Sequence, residues 1–160
     1  MNDHEYHYTT YIRTTPEKLW AAITTPEFTR QYWGKANISD WKPGSRWEHR
    51  GEDGITRVSG TVTEAAPPKK LVLTWAQPGE FDHPERHSRV TFSIDAIAES
   101  GGMVCLHVAH DRLVAGSETA LGISLGWPRV LSSLKSFLET GAALDTFAGI
   151  VTACHPAKAN

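Results

Sequence analysis

Residues 58–75 read Val58-Ser59-Gly60-Thr61-Val62-Thr63-Glu64-Ala65-Ala66-Pro67-Pro68-Lys69-Lys70-Leu71-Val72-Leu73-Thr74-Trp75, and their pattern decides the fold. Val58, Gly60, Val62 and Glu64 alternate with Ser59, Thr61 and Thr63, so one face is mostly apolar and the other rich in hydroxyls. Beyond Pro67-Pro68, Leu71, Leu73 and Trp75 share a face, while Val72 and Thr74 take the opposite one. A period of two on both sides of a turn is the mark of antiparallel strands with one covered face. Proline donates nothing to a ladder, so the Pro-Pro pair ends the first strand and stiffens the bend.

The same reading extends in both directions. Residues 6–13 alternate as a strand, with Tyr8, Thr10 and Ile12 on one face. Thr15-Pro16-Glu17 then opens a short helix carrying Leu19, Trp20 and Ile23, and Thr25-Pro26-Glu27 opens a second carrying Phe28, Tyr32 and Trp33 up to Gly34. A strand is expected near residues 35–41, another over 46–50, and a tight turn at Glu52-Asp53-Gly54. Residues 76–87 form a polar, proline-interrupted loop. Strands follow at 88–97, with Val90, Phe92 and Ile94 inward, and from Met103 to Arg112, with Val104, Leu106 and Val108 inward. From Thr119 to Gly141, Leu121, Leu125, Trp127, Val130, Leu131, Leu134 and Leu138 recur at helical spacing. Pro128 implies a break near Trp127 or a helix start at Trp127-Pro128.

Length and composition fit one domain. A chain of 160 residues, 40% hydrophobic and 21% charged, buries roughly 70% of its unfolded surface and needs neither metal nor crosslinks to hold a core. We read residues 1–141 as that domain and 142–160 as a tail, partly helical or disordered. A net charge of −2 argues against nucleic acid. Cys105 and Cys154 are read as unpaired thiols, and no signal peptide or membrane span is visible, so a cytoplasmic protein without membrane association is expected.

Strand, two short helices, six more antiparallel strands and one long helix leave a single sheet with an apolar face to cover. Only the last helix is large enough. A strongly twisted sheet curls, and a helix laid in its trough leaves space that side chains fill incompletely, so a pocket between helix and sheet is expected.

Three pieces carry a family resemblance. They are residues 15–27 (Thr-Pro-Glu-Lys-Leu-Trp-Ala-Ala-Ile-Thr-Thr-Pro-Glu) with Tyr32-Trp33-Gly34, then Gly60-Thr61-Val62 through Pro67-Pro68 to Trp75, then Gly126-Trp127-Pro128 with Leu131, Leu134, Leu138 and Glu139. Together they resemble the START-like, helix-grip superfamily, in the branch named for the C-terminal domain of the activator of Hsp90 ATPase. The resemblance covers about residues 8–141. It implies an α+β helix-grip fold, a seven-stranded antiparallel sheet wrapped around a long C-terminal helix, with an internal hydrophobic cavity. It leaves chemistry open, because the superfamily includes lipid carriers, hormone receptors, polyketide cyclases and co-chaperones. The Hsp90 role is not carried over, since the co-chaperone has another domain ahead of this one. Domains of this type often dimerise, so a homodimer is an open expectation.

Candidate site residues follow from which side chains face the trough. Six tryptophans suit both core filling and the stacking of flat ligands, with Trp20 read as core and Trp75 and Trp127 as either. Trp33, Trp47, His49, Trp75, His110 and Trp127 are the candidate polar and aromatic ligand contacts. Val58, Val90, Phe92, Leu106, Leu131 and Leu134 are the candidate apolar lining. His110, inward by alternation with Val108, is either a hydrogen-bonded structural histidine, a ligand contact or a general base. Glu48 and His49 alternate faces, so one of them faces inward as a further acid–base candidate, and the pattern favours Trp47 and His49. His83 and His87 lie in the polar loop, but neither helical His pairs nor zinc-spaced cysteines occur, so no metal or other cofactor is expected. Nucleophile-elbow, phosphate-loop and dinucleotide motifs are absent. Three readings remain: binding of a small hydrophobic molecule, a cyclase- or hydrolase-type enzyme in the same cavity, or a protein-interaction module.

Overall fold

The computed structural model describes residues 4–98 and 101–145. Seven strands form one antiparallel sheet: β1 (His4–Arg13), β2 (Ala36–Ile38), β3 (Arg46–Arg50), β4 (Thr56–Ala66), β5 (Lys70–Trp75), β6 (Ser88–Ile97) and β7 (Met103–Leu113). Their order across the sheet is β1-β7-β6-β5-β4-β3-β2. Helices α1 (Pro16–Thr24) and α2 (Pro26–Trp33) link β1 to β2, and α3 (Glu118–Thr140) ends the fold, packed against β1, α1 and α2. One apolar cluster joins inward residues of α1, α2, α3 and six strands, from Ile12 and Leu19 through Val62, Phe92 and Leu106 to Leu131 and Leu134. This is the helix-grip architecture that the family resemblance implies.

Local chemistry sets the element ends. The Thr15 side chain accepts from Lys18 N–H and Pro16 occupies the first helical position, as a helix start requires. Gly34, at φ 82°, ends α2 in the left-handed region where a Cβ is costly. Between α1 and α2, Tyr32 is buried and donates its hydroxyl to the Ala22 carbonyl at 2.8 Å. Buried Thr29 accepts the Asn37 backbone N–H at 2.9 Å, tying α2 to β2.

Four expectations need correction. The strand near residues 35–41 shrinks to Ala36–Ile38, because Ser39 and Asp40 accept the Trp41 and Lys42 N–H groups and turn the chain. The strict alternation over residues 58–64 fails at a register shift between Val62 and Glu64, so Glu64 is exposed rather than inward. Pro128 neither breaks nor starts a helix. It lies inside a continuous α3, where its missing N–H and ring cost about 3 kcal/mol, and burial of Trp127, Val130 and Leu131 on either side holds the helix through it. Leu121 points away from the core, 65% exposed; Ile123 takes the inward place. Of the expected tail, 142–145 is irregular and folds back on α3, Ser133 Oγ exchanging hydrogen bonds of 3.2 Å with the Leu144 backbone. Residues 146–160, with Cys154, lie outside the described residues.

Candidate functional site

Three tryptophans from three elements meet beneath the first half of α3. Trp33 ends α2, Trp75 ends β5, and Trp127 sits midway along α3. Ring centroids are 6.3 Å apart for Trp33–Trp75, 5.6 Å for Trp33–Trp127 and 5.7 Å for Trp75–Trp127. Beside them opens a mostly apolar pocket of about 170 Å³, lined by these three rings with Gln77 and Ile123 and by Gly122 and Gly126. Thr119 and Val130 complete the wall. Among the described residues, no charged side chain lines it.

A second layer of rings supports the first. Trp47 packs on Trp75 at 5.4 Å and donates its Nε1–H to the Thr74 carbonyl at 2.7 Å. That carbonyl also explains Gly60: a Cβ there would lie 1.9 Å from Thr74 O. His49 lies 4.5 Å from Trp33, centroid to centroid. Its Nδ1 meets Asn37 Oδ1 at 2.6 Å, and Asn37 Nδ2 donates to the Ile23 carbonyl, so His49 Nδ1 carries the proton. Burial pushes the His49 pKa down to about 3.

His110 is fully buried between Trp75 and Trp127. Trp127 Nε1–H donates to His110 Nδ1 at 3.1 Å, which makes Nδ1 the acceptor and places the ring proton on Nε2. Nε2–H then donates to Ser88 Oγ at 2.7 Å, and Ser88 donates onward to the Trp75 carbonyl at 3.2 Å. Every polar atom of this relay is matched, and both ring nitrogens of His110 are occupied. Desolvation lowers its pKa to about 4 against the opposing pull of Asp111. The arrangement gives a neutral, structural imidazole: it has no free lone pair for a general base, and it donates to Ser88 rather than activating it.

Glu48 faces the other side of the sheet, paired with Arg46 and Arg50. That outer face carries further ion pairs, Lys70 with Glu64 at 3.2 Å and Arg89 with Asp111. In the loop, His83 approaches Glu85 at 3.3 Å, while His87 is half-buried and held by Thr74 Oγ1 and the Glu80 carbonyl. Among the described residues, no three His, Cys, Asp or Glu side chains gather to hold a metal, and no helix is long and apolar enough to cross a membrane.

The sequence profile of the family described as "Activator of Hsp90 ATPase homolog 1-like protein" matches residues 13–139, from the end of β1 to the last turn of α3. The chain belongs to this family. No curated protein matches it. Solved structures with the same fold include a protein from Cytophaga hutchinsonii at 28% identity (TM-score 0.66, covering 84% of this chain and 93% of that one). The Aha1 dimer from Colwellia psychrerythraea follows at 19% identity (TM-score 0.70, 86% and 98%). An Hsp90 activator from Plasmodium falciparum is 22% identical (TM-score 0.68, 84% and 95%).

Within this member of the Hsp90-activator-like family, the sequence-derived candidates divide by depth. Trp33, Trp75 and Trp127 line the pocket. Trp47, His49, Phe92 and His110 stand behind them in ring contact. Val58, Val90, Leu106, Leu131 and Leu134 are buried in the core and do not reach the pocket wall. Among the described residues, the core cluster packs beneath Leu131 and Leu134, and the tryptophan-lined pocket lies beneath the first half of α3. Gln77, Thr119, Gly122, Ile123, Gly126 and Val130 also line the pocket and lie outside the sequence-derived candidates. A signal for two of them was present: Gly122 and Gly126 lie one turn apart inside a helical run, where glycine is unfavourable.

Proposed function

We propose that this domain binds one small, largely apolar molecule in the pocket between the end of β5 and the first half of α3. The observation that carries the proposal is the pair Gly122 and Gly126. Each costs α3 about 1 kcal/mol relative to alanine. Neither has a positive φ, and a Cβ built at either would meet nothing within 4 Å. Packing and backbone strain therefore give no reason for glycine at either position. Both line the pocket, and any side chain there would take up its space.

Size limits the ligand. A cavity of about 150 Å³ with an apolar lining accommodates benzene, so 170 Å³ suits a single ring or a short branched chain rather than a long acyl chain. A ring-sized molecule burying about 200 Å² gains about 5 kcal/mol, a Kd on the order of 0.2 mM. Binding is favoured over acid–base catalysis because His110 has both nitrogens engaged and Glu48 lies on the opposite face. The dimer described for the Colwellia protein supports a homodimer here as part of the same proposal.

Toluene titration followed by tryptophan fluorescence and by two-dimensional NMR tests the reading. Wild-type protein should saturate at one site, and Gly126→Leu should stay folded by circular dichroism while losing the site. Equal binding by the variant, or none by the wild type, would reject the proposal and return the interaction-module reading.

A further inference from the structure

On the outer face of the sheet, away from the pocket, four side chains are linked end to end across β1 and β7. Tyr8, Ile12, Leu106 and Val108 pack inward, so strand alternation puts Glu5, His7 and Thr9 of β1 and His107 of β7 on the opposite face. Glu5 Oε2 lies 3.2 Å from His7 Nε2, His7 Nδ1 lies 3.1 Å from His107 Nε2, and His107 Nδ1 lies 2.6 Å from Thr9 Oγ1. The two rings stack with centroids 5.3 Å apart. The His7 side chain is 52% exposed, so solvent reaches the pair. Neutral rings allow two arrangements. In both, His7 carries its proton on Nε2, because the Glu5 carboxylate only accepts, and its Nδ1 holds a lone pair. If the Thr9 hydroxyl donates to His107 Nδ1, then His107 Nε2–H fills the gap between the rings. If His107 Nδ1–H donates to Thr9 Oγ1 instead, two lone pairs are left at the gap, which only a cation makes favourable.

We infer that His7 and His107 form a two-imidazole site for a late divalent transition-metal ion, with Glu5 and Thr9 as the outer partners that fix the rings and water in the remaining positions. Spacing is the first support. Two imidazole nitrogens bound at about 2.1 Å to one ion, about 90–109° apart, stand about 3.0–3.4 Å from each other. The observed 3.1 Å falls in that span, and rotation of two solvent-facing rings turns both lone pairs onto one ion. Second, the far nitrogen of each ring already has the carboxylate or hydroxyl partner with which metal-bound histidines set their tautomer and orientation. Third, the residues paired directly with His7 and His107 across the strands are Ala109, Thr9 and Ser93, none of them a cation, while Glu5 supplies negative charge. Imidazole nitrogen selects Cu²⁺, Ni²⁺ or Zn²⁺ over Mg²⁺ and Ca²⁺, which take oxygen. Two protein ligands are fewer than a closed structural zinc site uses, so the ion is exchangeable and keeps water. The site stands on contacts separate from the pocket and is independent of the apolar-binding reading.

Titration with Ni²⁺ alone, followed by calorimetry and two-dimensional NMR, tests the inference. The paramagnetic ion should broaden the amide signals of β1 around His7 and of β7 around His107 at the lowest occupancy, and Mg²⁺ at the same concentration should leave them unmoved. Glu5→Gln and Thr9→Val remove no ligand and should each weaken Ni²⁺ binding about tenfold, the usual cost of losing an outer partner. His7→Ala and His107→Ala should each weaken it further. The wild-type spectra locate the ion without any variant, so a poorly folding substitution leaves the test intact. Broadening centred on His83 or His87, or unchanged affinity when His7 and His107 are both replaced by alanine, would overturn the site. Full affinity in both Glu5→Gln and Thr9→Val would overturn the built geometry and reduce the pair to ordinary surface histidines. Displacement of Ni²⁺ by an equal concentration of Mg²⁺ would overturn the ion class.

Discussion

Replacing Gly122 and Gly126 together by alanine should make the protein more stable and less able to bind. Each glycine lies inside α3, away from its caps at Ser117 and Gly141. The intrinsic gain on Gly→Ala in a helix interior is about 1 kcal/mol, from reduced backbone freedom in the unfolded chain. Steric cost is the term that usually cancels this gain, and here it is absent: no atom lies within 4 Å of either added Cβ. The pair should therefore contribute about 2 kcal/mol. For a domain of this size 1 kcal/mol moves Tm by about 2–4 °C, so the double variant should melt about 4–8 °C higher. Both methyl groups enter a pocket of about 170 Å³, so toluene binding should weaken in the same variant. Differential scanning calorimetry with and without toluene reads both effects. A melting point that fails to rise would mean that these positions are not unstrained helix. A rise with undiminished toluene binding would mean that the ligand sits elsewhere, and the functional argument from the glycines would fall.

Other perturbations follow from the same contacts. His49 and His110 have folded-state pKa values of about 3 and about 4 against an ordinary 6.5, so below pH 6.5 the unfolded chain binds protons that the folded chain refuses. Stability is then full above pH 6.5 and falls by roughly 1.4 kcal/mol per pH unit for each histidine, about 4 kcal/mol for the pair by pH 5. Urea unfolding at pH 7 and pH 5 measures it, and His49→Gln should remove about half the slope; an unchanged midpoint would contradict the buried neutral imidazoles. Gly60→Ala forces a Cβ to within 1.9 Å of the Thr74 carbonyl and should cost about 3 kcal/mol or more, with aggregation or a large drop in urea midpoint as the readout. Ser88→Ala removes the acceptor for His110 Nε2–H and should cost about 1–3 kcal/mol; a melt identical to wild type would contradict the buried relay.

Much of the architecture was legible residue by residue because its determinants are local. Thr15-Pro16 and Thr25-Pro26 announce two helix starts, and Val90-Phe92-Ile94 announces a covered strand face. Parity along β3 and β7 put Trp47, His49 and His110 inside before any contact was known, and all three are buried. Parity does not identify partners. Whether an inward histidine is a base or a structural relay depends on Trp127 and Ser88, one 17 and the other 22 positions away in the chain. Only the fold brings them within hydrogen-bond distance.

The amino-acid pattern by itself determined the order of elements, the covered face of the sheet and the tryptophan-rich character of the interior, since periodicity, capping and turn chemistry act over a few residues. Tertiary structure alone decided that α3 runs through Pro128, that Leu121 turns outward, and that a pocket opens under the helix beside Gly122 and Gly126. The volume of a hollow is a small difference between the curvature of a whole sheet and the summed bulk of every side chain facing it. No local stretch of sequence contains that difference.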